Sequence, residues 1–300
     1  MISSLYTILY LFREKKSNLF IYRTIKLILN ITYPVYCKFS KNYKCIKDVD
    51  GVILSLTSFP ARIDTLWIVI ETLLRQTYKP EKIILWLANS QFESYEDLPI
   101  RLRKLTNRGL EIRFCDDMRS HKKYYYTMKN YPDHTVITVD DDTFYPENLV
   151  ENLIHISQIY PNTICCNLAH RMTFDSNDNI LPYTNWDSGA QGCNTPSDNL
   201  VPIGCEGVLY PPGSLNKNLF DKEQILQLCP LADDLWLKAM ASLNEYKSVK
   251  VRPDSIPFAN LLSAKKSSLN AINVNENKND EQLRNVIDAY PKLKGFWKRT

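Results

Sequence analysis

Val136 to Pro146 reads V-I-T-V-D-D-D-T-F-Y-P. Residues 134 to 138 lead into it as a strand, with β-branched Thr135, Val136, Ile137 and Thr138 dominating. Asp140, Asp141 and Asp142 then follow in immediate succession. Three adjacent carboxylates at a strand end repel one another and gain nothing by burial. A hard divalent cation with oxygen ligands removes that penalty, so the cluster points to a metal site. A solvated acidic turn before the helix at Pro146 is the alternative.

Strands and helices alternate outward from this run. Gly51 to Leu56 is a buried strand ending in the loop T-S-F-P-A-R, Thr57 to Arg62. Asp64 is placed to cap a helix running to about Gln76, with Leu66, Ile70, Leu73 and Leu74 on one face. Lys82 to Leu87 and Leu110 to Phe114 are further strands. Between them Leu98 to Thr106 reads as helical and stops near Gly109. Asp116 and Asp117 close the third strand, and a helix over Lys122 to Asn130 leads to the strand before the triplet. Glu147 to Tyr160 is a helix behind Pro146. This order predicts right-handed crossovers, a parallel sheet and an α/β domain. Such sheets bind ligands beyond the carboxyl ends of their strands. The Thr57–Arg62 loop, the Asp116–Asp117 pair and the triplet are therefore expected along one edge.

The second half is less regular. Thr163 to Leu168 reads as a strand, and residues 173–200 form a long loop rich in Asn, Asp, Ser, Thr and Gly. Ile203 to Tyr210 is a strand or turn; Asp221 to Leu228 and Asp233 to Leu243 are helices; Ser248 to Val251 is a strand. Residues 264–282 are polar, and Asp280 to Tyr290 makes a last short helix. Three parts result: an N-terminal arm over 1–50, a main domain over 51–262, and a polar extension over 263–300.

Residues 1–50 carry nine basic and three acidic side chains, a net of +6, which leaves −2 for the rest of a chain of net charge +4. A basic, aromatic-rich end on a near-neutral body suits an anionic surface, a membrane before nucleic acid, though a solvated helix face explains it nearly as well. Leu5 to Phe12 is too short to span a bilayer, which needs about 20 residues, and it lacks the features of a secretory signal. Ile25 to Tyr36 is a second apolar segment. Two readings stay open. The segments lie in the membrane interface, anchored by Tyr6, Tyr10, Phe20, Tyr22, Tyr33 and Tyr36, or they form a helical arm packed on the main domain. The eight cysteines include no C-x-x-C pair, which argues against structural zinc. Nothing demands disulfides, so a reducing, cytoplasmic location is expected, peripheral on the inner face of the membrane if the arm binds lipid.

Leu73 to Leu85 reads L-L-R-Q-T-Y-K-P-E-K-I-I-L. With the strand before it, it resembles the opening of GT-A nucleotide-sugar glycosyltransferases, near the family 2 type of bacterial surface-glycan synthesis. The order of parts is similar as well. D-D-D, Asp140 to Asp142, matches the D-x-D at a strand end, and A-D-D-L-W, Ala232 to Trp236, matches the acidic pair opening a downstream helix. The resemblance covers residues 51–262 and implies a Rossmann-like, mostly parallel mixed sheet flanked by helices. There are departures. Asn89 and Ser90 stand where an Asp pair is usual, so uracil recognition would rest elsewhere, on Asp116 or Asp117. The acidic pair is Asp-Asp where Glu-Asp is commoner. Gly295 to Trp297, G-F-W, is faintly similar to a sugar-retaining family's metal motif but lacks its His, and is set aside.

The resemblance implies metal-dependent transfer of a sugar from a nucleoside diphosphate, a UDP-sugar by preference, to a glycan or lipid-linked acceptor, with inversion. Capsule or lipopolysaccharide synthesis is the implied setting. Such a transfer passes an oxocarbenium-like transition state. A cation stabilises the leaving diphosphate, and a carboxylate takes the acceptor proton. By the family pattern Asp142 ligates Mn2+ or Mg2+ directly, Asp140 holds the ribose or a metal-bound water, and Asp141 does either. Asp234 is the expected base and Asp233 the second choice; both also read as helix caps. Thr57 and Arg62 are candidate nucleotide contacts, since an Arg beyond the first strand can pair with phosphate, though a surface salt bridge explains the Arg almost as well. Lys122 and Lys123 are placed to add charge near the diphosphate, though a solvated helix start explains them equally well. Gly204 and Gly207 flank Glu206 in a stretch that suits either close approach to a ligand or a tight turn. One rival is a sugar nucleotidyltransferase, which needs a Gly-rich phosphate loop that this chain lacks. Another is a binding protein without turnover, against which the intact triplet argues.

Overall fold

The computed structural model describes residues 1–11, 18–40, 51–254, 256–263 and 277–298. Two helices lead, α1 (Ile2–Leu11) and α2 (Asn18–Phe39). The main body then alternates: β1 (Val52–Thr57), α3 (Ile63–Leu74), β2 (Lys82–Ala88), α4 (Ile100–Arg103), β3 (Leu110–Cys115), α5 (Lys122–Asn130), β4 (Thr135–Thr138), α6 (Leu149–Ile159) and β5 (Thr163–Cys166). A short ribbon follows, β6 (Ala169–Arg171) with β7 (Leu200–Pro202). The chain closes with β8 (Val208–Tyr210), α7 (Lys222–Leu228), α8 (Asp233–Leu243), β9 (Lys247–Lys250), α9 (Lys278–Ala289) and α10 (Leu293–Phe296).

Seven strands form one sheet in the order β3-β2-β1-β4-β8-β5-β9. Only β8 runs against its neighbours; β3, β2, β1 and β4 are parallel, as are β5 and β9. Helices cover both faces, which is why β1 and β2 are near-continuous apolar runs rather than alternating ones. One core packs α1, α2, α3 and α6 (Leu9, Leu29, Ile70, Leu153) against Leu54, Leu85 and Ile137. The other packs α5, α8 and α9 (Tyr124, Trp236, Val286) against Val136, Ile164 and Val208. Val136 and Ile137 enter opposite cores because successive strand residues point to opposite faces.

The mixed α/β sheet is the one expected. Several local expectations change. The helix after the first loop starts at Ile63, with Arg62 at its cap and Asp64 in its first turn, because Arg62 N–H closes a turn on the Phe59 carbonyl at 3.0 Å. Leu98 to Thr106 yields only the short α4 and a 3-10 stretch over Lys104–Arg108, ended by left-handed Gly109 at φ 109°. Residues 173–200 are folded back on themselves, with bridges Arg171–Asp187 and Phe174–Ile180. Ile203 to Tyr210 holds a 3-10 turn, Gly204–Glu206, and then β8. The N-terminal helices are packed on the body: Ile2, Tyr6, Leu9, Ile25, Leu29, Tyr33 and Cys37 are buried. The C-terminal extension also supplies core residues, Leu283, Val286 and Trp297, whose indole N–H donates to Ser242 at 2.9 Å. Most of the polar stretch before it, residues 264–276, lies outside the described residues. Among the described residues, no helix is long and apolar enough to cross a membrane.

Candidate active site

Ser55 of β1 pairs in register with Thr138 of β4, so the loops leaving both strands emerge side by side. The Asp triplet follows β4, bends at Asp141 and Asp142, and is tied down on both sides rather than left as a solvated turn. The Tyr145 hydroxyl accepts from the Asp140 amide at 2.8 Å and donates to the Cys205 carbonyl at 2.9 Å. On the other side Phe144 N–H donates to Ala259 O at 2.8 Å and Leu261 N–H to Asp142 O at 2.7 Å. The three carboxylates are thereby sorted. Asp141 points inward, 5% exposed, and accepts from Arg62 at 2.5 Å and Ser58 at 2.6 Å. Asp142 meets the same Arg62 at 3.1 Å and accepts from Asn260 at 3.4 Å. Asp140 turns the other way and accepts from Lys123 at 2.9 Å.

Lys123 joins this edge to the second acidic pair. Its ammonium, buried on α5, also lies 2.8 Å from Asp233 at the start of α8. Asp234 next to it accepts the Gly204 amide with both oxygens, at 3.1 Å each. Burial, and then the neighbouring Asp233 charge, pushes the Asp234 carboxyl up to about 7 against the pull of Lys123 and the Gly204 N–H. Burial acts on Asp233 too, but Lys123 and His121 outweigh it and hold that carboxyl below its ordinary value. Burial opposes the charge on Lys123, yet Asp140, Asp233 and Asp234 keep its pKa well above that of a free lysine. The pair thus holds one carboxylate locked in an ion pair and one poised to exchange a proton.

Arg62, Asp140, Asp141, Asp142, Asp233 and Asp234 therefore come together. The other expected contacts do not join them. The Thr57 hydroxyl donates to Trp86 O at 2.9 Å. Asp116, its side chain 73% exposed, pairs with Lys222 at 2.9 Å. Asp117 is taken up by Lys122 at 2.5 Å and the Arg119 amide at 2.8 Å. These last two follow β3, at the far end of the β3-β2-β1-β4 run from the triplet. Lys123, not Lys122, faces the triplet. Ser58, Tyr145 and Asn260 escaped the sequence reading. Only Ser58 carried a signal, its place in the loop after the first strand.

The edge fits a divalent cation. Burial and then the charge of Asp140 raise the Asp142 carboxyl, a repulsion that a divalent cation held by these carboxylates would relieve. Among the described residues no cluster of three or more acidic, His or Cys side chains is gathered to hold an ion alone. Asp140 and Asp142 would hold it through hard oxygen donors and leave its remaining positions to phosphate oxygens and water, the usual arrangement for Mg2+ at phosphates.

No protein-family model matches the chain, and no curated protein matches it. Solved structures do. The mannosyltransferase PcManGT from Pyrobaculum calidifontis, solved with GDP-Man and Mn2+, superposes at TM-score 0.50 and 11% identity over 99% of this chain and 80% of that one. The chain has a GT-A-like fold. TarS 1–349 from S. aureus superposes at TM-score 0.46 and 12% identity, over 82% of this chain and 74% of that one. On the GT-A-like sheet of this chain, the acidic edge lies at the carboxyl end of β4, beside the loop that leaves β1.

Proposed function

We propose that this protein is a metal-dependent glycosyltransferase. Residues 51–262 move a sugar from a nucleoside diphosphate, a UDP-sugar by preference, onto a glycan or lipid-linked acceptor of surface-polysaccharide synthesis. The observation that carries the reading is Lys123, whose single ammonium ties Asp140 of the triplet to Asp233 of the second pair. Transfer with inversion needs a charge-stabilising edge and a proton acceptor within one sugar's reach, and this contact supports that spacing. Mn2+ or Mg2+ on Asp140 and Asp142 would neutralise the leaving diphosphate. Arg62 adds a fixed positive charge beside it. Asp234 takes the proton of the acceptor hydroxyl as its oxygen bonds to the anomeric carbon and the diphosphate departs on the opposite side. Asp233, held ionised by Lys123, keeps a second negative charge beside Asp234 and so favours proton uptake there.

Thermal unfolding with UDP, GDP, CMP and dTDP, each with and without Mn2+, tests the reading. A ligand that binds only the folded state at about 100 times its Kd adds about 2.7 kcal/mol, a readable rise in Tm. The expected result is a Tm rise with UDP that needs Mn2+ and vanishes in Asp142→Ala. A rise with another nucleotide reassigns the donor. No rise with any nucleotide overturns the reading.

A further inference from the structure

We propose that the outer face of α1 and α2 is a docking surface for an anionic lipid bilayer. Both helices are apolar on two sides. The inner side of α2, with Ile25, Leu29, Tyr33 and Cys37 at every fourth position, is buried in the first core, beside α1 and α3. Its outer side leaves Phe20 74%, Ile31 61% and Phe39 86% exposed, with Leu27 and Val35 between them and Leu11 of α1 nearby in sequence. Twelve of the seventeen exposed large apolar side chains of the described residues lie in the first 39 positions. Scattered exposed apolar residues need no explanation, but such a concentration on one pair of helices marks a surface that something covers.

Charge identifies what covers it. Neither helix carries an Asp or Glu, whereas α2 carries Arg23, Lys26 and Lys38, with Arg23 and Lys38 exposed. A second copy on this face would set like charges against each other, while anionic headgroups complement them. The exposed rings of Phe20 and Phe39 on α2, and of Tyr10 on α1, suit the headgroup level, where aromatic side chains settle on a helix lying in the interface. Because the inner stripe is committed to the protein core, α2 lies along the bilayer surface and does not cross it.

The surface is also coupled to the acidic edge. Asn30 of α2 donates to the Asn260 carbonyl at 3.2 Å and accepts from the Leu262 amide at 2.9 Å. The Asn260 side chain in turn donates to Asp142. Docking through α2 therefore holds the triplet edge close to the bilayer, where an acceptor carried on a lipid presents its hydroxyl. That delivery rests on the proposed transfer; the docking does not.

Flotation of the full chain with vesicles tests it. Vesicles of phosphatidylcholine mixed with phosphatidylglycerol in roughly equal parts should carry the protein, pure phosphatidylcholine should carry at least about tenfold less, and about 0.5 M NaCl should release it. The triple variant Phe20→Ser, Ile31→Ser, Phe39→Ser changes only exposed side chains, so its Tm should match the parent while its flotation falls at least about tenfold. A triple variant that floats like the parent overturns the inference. So does a parent chain that ignores both vesicles and forms a dimer that the variant splits, since the face is then an interface between copies. Loss of the nucleotide-induced Tm rise with flotation retained would sink the transferase reading and leave the docking surface standing.

Discussion

Gly204 shows how narrow the tolerances of the acidic centre are. A Cβ there would stand 2.6 Å from the Lys123 ammonium and 2.9 Å from an Asp234 oxygen. Gly204→Ala must therefore push both groups away. Misplacement of about 1 Å at a reacting group costs roughly 100-fold in rate, so kcat should fall by about that much in a sugar-transfer assay while the protein still folds. Retained kcat would mean that Lys123 and Asp234 have slack and do not set the geometry. The Asp234 carboxyl carries a second expectation. It works as a base only when ionised, so kcat/KM should rise with pH through about 7 and fall away below it. A flat profile between about pH 5 and 8 would remove Asp234 from the role. In stability the sign reverses. The folded state binds this proton more tightly than the unfolded chain, whose Asp titrates near about 3.9. This group's contribution is thus fully present below about pH 4 and is lost as pH rises through about 7. The triplet was legible in the sequence because charge density is a local property. Which of the three points inward was not, since Arg62, Ser58 and Lys123 choose among them from 79, 83 and 17 positions away.

At the scale of elements, α1 is held by its N-terminus. The Glu147 carboxylate, ahead of α6, accepts from the amides of Ile2 at 3.0 Å and Ser3 at 2.8 Å and from the Ser3 hydroxyl at 2.5 Å. It serves as a cap supplied from elsewhere in the chain and meets the positive end of the helix dipole. Burial raises this carboxyl, but the bonds from Ser3 and the terminal amine outweigh it and bring it to about 2. Glu147→Gln should lower stability by about 1–2 kcal/mol at neutral pH, read as a fall in Tm or in the denaturant midpoint. The wild-type advantage is fully present above about pH 4.3, the ordinary Glu value, and is lost as pH falls through about 2. A parent–variant difference that does not shrink between about pH 5 and pH 2.5 would show that Glu147 acts through shape rather than charge. The main strands and most helices of the first half were readable, because apolar runs and 3.6-residue spacing are local signals. The cap of α1 was not, because its partner is about 145 residues away.

For the whole molecule, the two N-terminal helices decide how much of the chain is one body. Tyr6 stacks on Phe258 with ring centroids 5.0 Å apart, and Tyr33 meets Phe144 edge-on at 5.7 Å. The Tyr6 hydroxyl donates to Phe144 O and accepts from Ala259 N–H, both at 2.8 Å. It thus sits between the two segments that carry the triplet and Asn260. Removing residues 1–39 would bare that surface and leave these polar groups without partners. The truncated chain should lose soluble yield, fall in Tm, and give no Mn2+-dependent response to nucleotide. A soluble truncated chain with the parent Tm would make the helices an appendage.

The sequence by itself determined the alternation of elements, the parallel β3-β2-β1-β4 part of the sheet, and the acidic triplet and acidic pair at the ends of their elements. Periodicity, like-charge repulsion and chain order act between neighbours, so one strand of letters carries them. Only the tertiary structure decided that Lys123 lies between Asp140 and Asp233, that Asp116 and Asp117 stay at the far edge, and that α2 buries one apolar face and leaves the other outward. Those outcomes turn on which of two equally apolar or equally charged groups meets a partner distant in the chain, and that choice is made by packing.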